Sequence, residues 1–303
     1  MVFNLLLLLI GVIAASSAVI FIKICTVNPI LLASFRQLLA ALLLTPLFFR
    51  ELRRHKVTLG SKLFLPSILP GVILAVHFVS WITGARMTPA ANSSLIVNLV
   101  PIAMPFLVFV LLRERINGIE LVGTAVSLAG VFFLASFDFR FDHAYFAGDA
   151  IAFGSMLFYA LYLALGRRNN SLPSIWLYVV PLYYVGGLVC LAAAFPFVNP
   201  FTVGYTGVDL IAIVGLAVGP TIVGHSIINY AMKVLRPQVT SLLNLGQFLF
   251  AGIGGYFFLG ELPSRAFYLA SLFIVAGAVL VILAEGRGRV AGEPRPLRLR
   301  GRH

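Results

Sequence analysis

Apolar runs follow one another along the whole chain, separated by short stretches rich in charge, proline or glycine. Each run is about 20 residues long, the length at which a helix spans the hydrocarbon layer of a bilayer. The runs lack the ten-residue alternation of barrel strands, so we predict helices. The predicted spans are 3–22, 29–49, 63–83, 90–112, 117–136, 148–166, 174–196, 208–230, 237–259 and 265–284.

The composition agrees with a chain whose solvent is the bilayer. Of the 303 residues, 60% are hydrophobic and 11% are charged, with a mean hydropathy of +1.02. A soluble domain needs far more polar surface than this. The connections are short except around 50–62, 137–147 and 197–207, which leaves no room for a soluble domain, so any function must reside in the helices.

Residues 1–18 can be read either as a signal peptide with a small-residue cleavage site or as the first span. The segment has no Lys or Arg before its apolar part, which favours the span. Cys25 and Cys190 suit neither a disulfide framework nor a metal site, and we interpret both as small apolar residues. We predict no cofactor, no metal site and no catalytic residue.

The formal net charge of +12 raises the question of nucleic-acid binding. Most Lys and Arg residues, however, lie in loops on the side of the N-terminus, and only Arg86, Arg140 and Arg265 lie on the other. The positive-inside rule then predicts a multi-pass protein of the plasma (inner) membrane with both termini in the cytoplasm. We expect the Arg-rich tail, 287–303, to be disordered and to lie against anionic lipid. Binding of nucleic acid or a partner protein is the alternative that we disfavour.

The two halves of the chain resemble each other. The segment HFVSWITGARMTPAANSSLIVNLVPIAMPFLVFVLLRERI corresponds to HSIINYAMKVLRPQVTSLLNLGQFLFAGIGGYFFLGELP. Five identical pairs occur in the same order: His77 with His225, Pro89 with Pro237, Asn98 with Asn244, Glu114 with Glu261, and Gly130 with Gly277. Each half holds five spans, an odd number, so the second half enters the membrane from the opposite side and the repeat is inverted.

We therefore divide the chain into a first repeat, 1–137, a second repeat, 138–286, and the tail. Inverted halves offer a physical route to alternating access, because each half can adopt the conformation of the other around a site near the midplane.

These residues resemble the EamA-type branch of the drug/metabolite transporter superfamily over nearly the whole chain. The resemblance is carried by Lys23 at the end of the first helix, PILLASFRQLLAALLL, TPAANSSLIVNLVP and LLRERI, and in the second half by RPQVTSLLNLGQ, FLGELP and IVAGAVLVIL. It implies an all-α membrane protein with ten helices in two five-helix repeats that exports a solute. The chain departs from the family at AASSAVIFIK, where a tryptophan-glycine pair is usual, and at Phe248, where a proline is usual.

Polar side chains within spans are costly against lipid, so we expect them to face a cavity inside the bundle. They recur at helical spacing on four spans, which we predict to form the cavity wall. The predicted cavity residues are His77 and Trp81 on the third span, Ser94 and Asn98 on the fourth, His225 and Asn229 on the eighth, and Asn244 and Gln247 on the ninth. Pro101 and Pro105 are predicted to bend the fourth helix.

The roles of the buried cations and histidines stay open at this stage. His77 and His225 either satisfy inter-helix hydrogen bonds or carry a coupling proton, since no carboxylate lies clearly within a span. Lys23 and Arg36 either snorkel or pair with an acidic residue (Asp138, Asp142 or Asp149), or anchor an anionic group or a gate. Glu114 and Glu261 suit salt bridges at helix ends or gate contacts.

The sequence thus predicts a secondary transporter of small organic solutes such as amino acids or related metabolites, driven by protons or by exchange. It has no Walker A loop for ATP. The alternatives are a lipid flippase or scramblase on the same fold, an ion channel, or an integral-membrane lipid-modifying enzyme, which would need clustered acids or a metal motif. The expected partners are a small-molecule substrate and membrane lipid, and the pattern does not distinguish a monomer from a homodimer.

Overall fold

The computed structural model describes residues 1–138, 143–169, 171–202 and 204–290, and the long regular elements in these ranges are all helices. They are α1 (Val2–Ile24), α2 (Pro29–His55), α3 (Ser61–Met87), α4 (Ala90–Leu112), α5 (Gly118–Asp138), α6 (His143–Asn169), α7 (Trp176–Ala194), α8 (Gly207–Val234), α9 (Pro237–Leu259) and α10 (Arg265–Val290). Nine of them carry described segments that are long and apolar enough to cross a membrane. The remaining one, α5, has an apolar stretch at Gly118–Leu134.

The ten predicted spans correspond one to one with these helices. The bounds of α4 and α9 agree with the prediction, whereas most other helices run a few residues further at one or both ends. Helix α2, for example, continues past 49 to His55 and ends where Lys56 adopts a left-handed backbone, with φ of 52°. The apolar pattern ends where the polar interface begins, but backbone hydrogen bonding continues beyond that point, so hydropathy underestimates helix length.

The packing of the helices is the same when the two halves are exchanged. Helix α3 packs against α6 and α7, and its counterpart α8 packs against α1 and α2. Helix α4 contacts α6, as α9 contacts α1. Helices α2 and α7 contact each other, as do α5 and α10, and each of these pairs is its own counterpart. The contacts therefore follow a pseudo-two-fold relation between two five-helix repeats.

Two corresponding helices are interrupted near their middle. Helix α4 consists of Ala90–Val97 and Val100–Leu112, and α9 contains Pro237–Leu245 and Gln247–Gly254. Pro101 has no N–H and its ring excludes the carbonyl of Val97, four residues earlier, so a regular helix cannot continue through this point. In α9 the break falls at Gly246 instead. The predicted bend of α4 at its prolines thus takes the form of a break just before Pro101.

Helices α5 and α10 approach closely through glycine. An added Cβ at Gly277 would collide with the backbone oxygen of Gly123 and the hydroxyl of Ser127 on α5. Small residues at such positions allow the backbones of membrane helices to pack directly against each other.

The predicted boundary between the repeats, at 137/138, falls at the end of α5. Residues 139–142 of the connection, with Arg140 and Asp142, lie outside the described residues. Helix α10 continues to Val290, so the first residues of the predicted tail are helical, and 291–303 also lie outside the described residues.

Candidate functional site

Five side chains from four helices come together between the two halves, and we call them the central cluster. They are Arg36 on α2, His77 on α3, Tyr159 and Tyr162 on α6, and His225 on α8. The imidazole of His77 stacks on the ring of Tyr159 with centroids 4.7 Å apart, and the two histidine rings lie 6.2 Å apart. All five side chains are buried. The structure therefore places both predicted histidines in one polar, aromatic group.

The two histidines use Nδ1 in different hydrogen bonds. His77 Nδ1 faces the carbonyl oxygen of Ser155 at 3.1 Å and its hydroxyl at 2.9 Å, while that hydroxyl can donate to the carbonyl of His77. A carbonyl only accepts, so His77 carries its proton on Nδ1. His225 Nδ1 lies 2.9 Å from the Tyr162 hydroxyl, which accepts from Asn229 Nδ2 at 3.2 Å. The proton of the Tyr162 hydroxyl is thus available to His225 Nδ1, and this direction of the bond corresponds to the Nε2-protonated tautomer of His225.

A second hydrogen-bonded group joins the interrupted helices α4 and α9. Asn244 Nδ2 donates to Asn98 Oδ1 at 2.9 Å, and Asn98 Nδ2 donates to the carbonyl of Ser94 at 2.8 Å. The Oδ1 atom of Asn244 accepts from Gln247 Nε2 and from the Tyr159 hydroxyl, the latter at 3.3 Å. The predicted pair of asparagines is thus a direct contact between the halves, and Tyr159 connects it to the central cluster.

Arg36 is fully buried in the middle of the molecule and does not snorkel to the membrane surface. Its Nε donates to Thr221 Oγ1 at 3.0 Å, and the guanidinium lies over the ring of Phe78, 3.9 Å from the centroid. The hydroxyl of Thr221 donates in turn to the carbonyl of Leu216 at 2.8 Å. Thr221 belongs to a wide, π-helical stretch of α8, Ala217–His225, a distortion often found at functional sites.

The terminal nitrogens of Arg36, Nη1 and Nη2, are buried with no hydrogen-bond partner among the described residues. All six acidic side chains that the structure describes have other partners. They are Glu51 (with Arg50, Arg54 and His55), Glu114 (with Arg167), Glu120 (with Arg236), Asp149 (with Thr88), Asp209 (with Thr26 and Thr206) and Glu261 (with Lys23). The guanidinium thus has no described counter-ion.

The remaining predicted cavity residues also lie inside the bundle. Trp81 and Ser94 are buried on α3 and α4. Pro101 contributes its carbonyl, which accepts from Gln238 Nε2 at 3.2 Å, while Pro105 lies within the second part of α4. Across the described ranges, no three His, Cys, Asp or Glu side chains are grouped to hold a metal ion. Burial raises the pKa of the Cys25 thiol to about 11, which fits its interpretation as an apolar residue.

Of the three described ion pairs that cross between the halves, two correspond in the repeat and lie at opposite ends of the bundle. Glu114 accepts two hydrogen bonds from Arg167, both at 3.1 Å, and Glu261 pairs with Lys23 at 3.5 Å. The carboxylates correspond in the repeat, and their partners lie near the C-terminal ends of the corresponding helices α1 and α6. Lys23 therefore pairs with Glu261. Of the acidic residues that the sequence offered, Asp149 accepts from Thr88, and the side chains of Asp138 and Asp142 lie outside the described ones. We call the two sides of the molecule the Glu114 end and the Glu261 end.

An open groove of about 370 Å³ lies on the side of the bundle between α2 and α8. Its lining comprises Phe35, Leu38, Leu39, Leu42, Tyr205, Leu210 and Ile213. Such an apolar surface suits a lipid chain and offers no polar path for a head group.

Some residues of the site were not among the predicted ones. Ser155, Tyr159 and Tyr162 follow each other on α6 at spacings of four and three residues, so helical periodicity would have placed them on one face. Thr221 lies four residues before His225 on α8 and shares a stripe with it. The contact between Arg36 and Thr221 gives no signal in the sequence, because 185 residues separate the two.

Comparison with known proteins agrees with this architecture. The EamA-like transporter family matches residues 2–136 and again residues 146–283, once in each half. The chain belongs to the EamA-like transporter family. This membership makes it a membrane transporter of the drug/metabolite type.

One further relative and one solved structure are similar to this EamA-like transporter. An "Uncharacterized transporter" of Archaeoglobus fulgidus is 29% identical over 203 residues, which cover 66% of this chain and 70% of the relative. A protein of known crystal structure superimposes with a TM-score of 0.73 over 94% of this chain and 99% of its own, with 20% identity. At that identity the second match shows a shared fold alone.

Proposed function

We propose that this EamA-like protein is a secondary transporter that moves a small organic solute by alternating access, with the solute held at the central cluster. The observation that carries this proposal is the position of that cluster. It is buried between two pseudo-symmetric halves and contains donors, acceptors and aromatic faces that a polar solute requires.

The ends of the bundle support the same proposal. Ion pairs join the halves at both the Glu114 end and the Glu261 end, as an occluded conformation requires. Opening one end requires breaking the ion pairs at that end while those at the other end persist, which is the behaviour expected of two gates. Substrate class (an amino acid or related metabolite), outward direction, the plasma membrane and cytoplasmic termini are further parts of the proposal, which rest on the family resemblance and the charge distribution.

Gate function can be tested without a known substrate. In a background with Cys25 and Cys190 replaced by alanine, Ser226→Cys places a thiol at a buried position of α8 near the central cluster. Glu114→Gln and Glu261→Gln are matched variants, each of which removes the charge of one gate. We expect each to increase the labelling of that thiol by a membrane-impermeant maleimide from one side of the membrane, and from opposite sides.

The labelling is measured in right-side-out and in inverted vesicles. The reference is the Ser226→Cys protein that keeps both Glu114 and Glu261. Increased labelling from the same side in both variants, or no increase in either, would contradict alternating access. Asp149→Asn serves as a control that removes a carboxylate outside the two ion pairs, and it should leave the pattern unchanged.

A further inference from the structure

Among the residues that the structure describes, the guanidinium of Arg36 is a buried positive charge with no ionic partner. A buried charge is retained in a protein interior only at a high free-energy cost unless an opposite charge or several hydrogen bonds compensate it. Arg36 has one hydrogen bond, to Thr221, and one aromatic contact, with Phe78. Neither supplies a negative charge.

The geometry of the guanidinium decides which of its edges is available. An arginine can bind a carboxylate through Nε together with one terminal nitrogen, or through Nη1 and Nη2 at its far end. The contact with Thr221 occupies Nε, so the first mode is blocked. The far edge keeps both nitrogens without a partner among the described residues. Two parallel N–H donors at this edge match the two oxygens of one carboxylate.

The surroundings of Arg36 fit the body of an organic acid better than a bare ion. The ring of Phe78, which the guanidinium of Arg36 covers, lies with its centroid 5.2 Å from that of His77 and 4.9 Å from that of His225. The rings of His77, Tyr159 and Tyr162 are stacked on one another, which provides flat aromatic surfaces beside the charge. Such surfaces pack well against a planar apolar group.

We propose that Arg36 binds the carboxylate of a small organic acid through Nη1 and Nη2, which makes the transported solute an anion or a zwitterion. This inference rests on the proposed function, because the closed cluster admits a solute only when one end opens. The bound acid neutralises Arg36, and its body contacts the aromatic rings of the central cluster.

The probe for this site is benzoate, and its neutral isostere benzamide is the ligand control. The purified full chain in detergent is titrated at constant total sodium concentration, with sodium chloride replacing sodium benzoate. We expect benzoate to raise the melting temperature saturably and benzamide to leave it unchanged. Arg36→Gln should weaken benzoate binding by about ten- to a hundredfold, as expected from the loss of hydrogen bonds to a charged group.

Two further variants separate the binding role from a structural one. Arg36→Lys keeps the positive charge but loses the two parallel N–H donors of the guanidinium. Its affinity for benzoate should therefore lie between those of the unaltered protein and the Arg36→Gln variant. Arg53→Gln makes the same change at an exposed position of the same helix, and its affinity should equal that of the unaltered protein. Arg36→Met removes the buried charge, so in the absence of benzoate its melting temperature should be equal to or higher than that of the unaltered protein.

The proposal is overturned by equal benzoate affinity in Arg36→Gln and the unaltered protein, by the absence of benzoate binding, or by equal stabilisation from chloride and benzoate. The last result would make the site one for a simple halide. Because benzoate binding is measured apart from thiol labelling, a protein that alternates but does not bind benzoate would refute only the assignment of substrate class. A protein that binds benzoate but does not alternate would refute the proposed function.

Discussion

Asn98 and Asn244 show how a duplicated chain can place identical side chains against each other. Residues close to a pseudo-two-fold axis contact their own counterparts, and here the contact is an amide hydrogen bond of 2.9 Å. Both side chains are buried, and their bond satisfies an amide donor of Asn244 and the carbonyl acceptor of Asn98 inside the bundle.

A double-mutant cycle measures this contact. We expect Asn98→Ala and Asn244→Ala each to destabilise the protein, and the double variant to cost about 0.5 to 1.7 kcal/mol less than the sum, as for other hydrogen bonds between membrane helices. Unfolding in detergent mixtures provides the free energies. The distant pair Asn98→Ala and Asn169→Ala is the control and should be additive. Additivity at Asn98 and Asn244 would show that their bond does not couple the halves.

At the scale of single residues, helical spacing predicts which side chains face inward but not what they contact. His77 and His225 were expected on one wall from their symmetric positions, and the structure brings their rings within one cluster. The hydrogen bond of Arg36 with Thr221 could not be inferred, because the position of Thr221 depends on the π-helical stretch of α8. A pattern that assumes regular helices carries no information about such a distortion.

At the scale of elements, helix existence was predictable because apolar runs of bilayer length are unambiguous. The interruption of α4 was also accessible, since Pro101 breaks the backbone ladder by its covalent structure. The break of α9 at Gly246 was not, because glycine permits many conformations and tertiary contacts select one of them. Helix ends were underestimated wherever the backbone continues into the polar interface.

The close contact of α5 and α10 leads to a prediction about packing. We expect Gly277→Val to destabilise the protein by about 1 to 3 kcal/mol or more, because its side chain must displace the backbone of α5. Gly154→Ala on α6 is the matched control, since its added methyl group meets nothing within 4 Å. Melting temperatures of the purified variants give the comparison. Alanine and valine both have a higher helix propensity than glycine, so helix propensity predicts no loss in either variant, and an equal loss in both would contradict the role of the contact with α5.

At the scale of the whole molecule, the internal repeat predicted more than hydropathy alone. An odd number of helices in each half fixes the inversion, and the exchange of equivalent packing contacts agrees with it. The presence of ion pairs at both ends in one conformation could not be foreseen, because one sequence must be compatible with every state of a transport cycle.

Coupling to protons is a property of the complete cycle and remains a proposal. If His77 and His225 carry the coupling proton, then the double variant His77→Gln/His225→Gln should lose transport driven by a pH gradient but retain counterflow of the solute. Both activities are measured in proteoliposomes, and Arg53→Gln is a control for nonspecific effects of substitution. Unchanged dependence on the gradient in the double variant would assign coupling to other groups or to exchange.

The two gates are chemically unequal, and this has a kinetic consequence. Glu261 also accepts from the backbone N–H of Ala90 at 2.9 Å, whereas among the described residues Glu114 accepts hydrogen bonds from Arg167 alone. Conversely, the pair of Arg236 with Glu120 reinforces only the Glu114 end.

Without solute, the protein should therefore populate one of its two open conformations more than the other. A free-energy difference of about 1.4 kcal/mol between these conformations already gives a tenfold excess. The half-saturation concentrations on the two faces would then differ. The final ratio of solute concentrations across the membrane would not depend on this preference. The free-energy difference between the two conformations without solute cancels over a complete transport cycle.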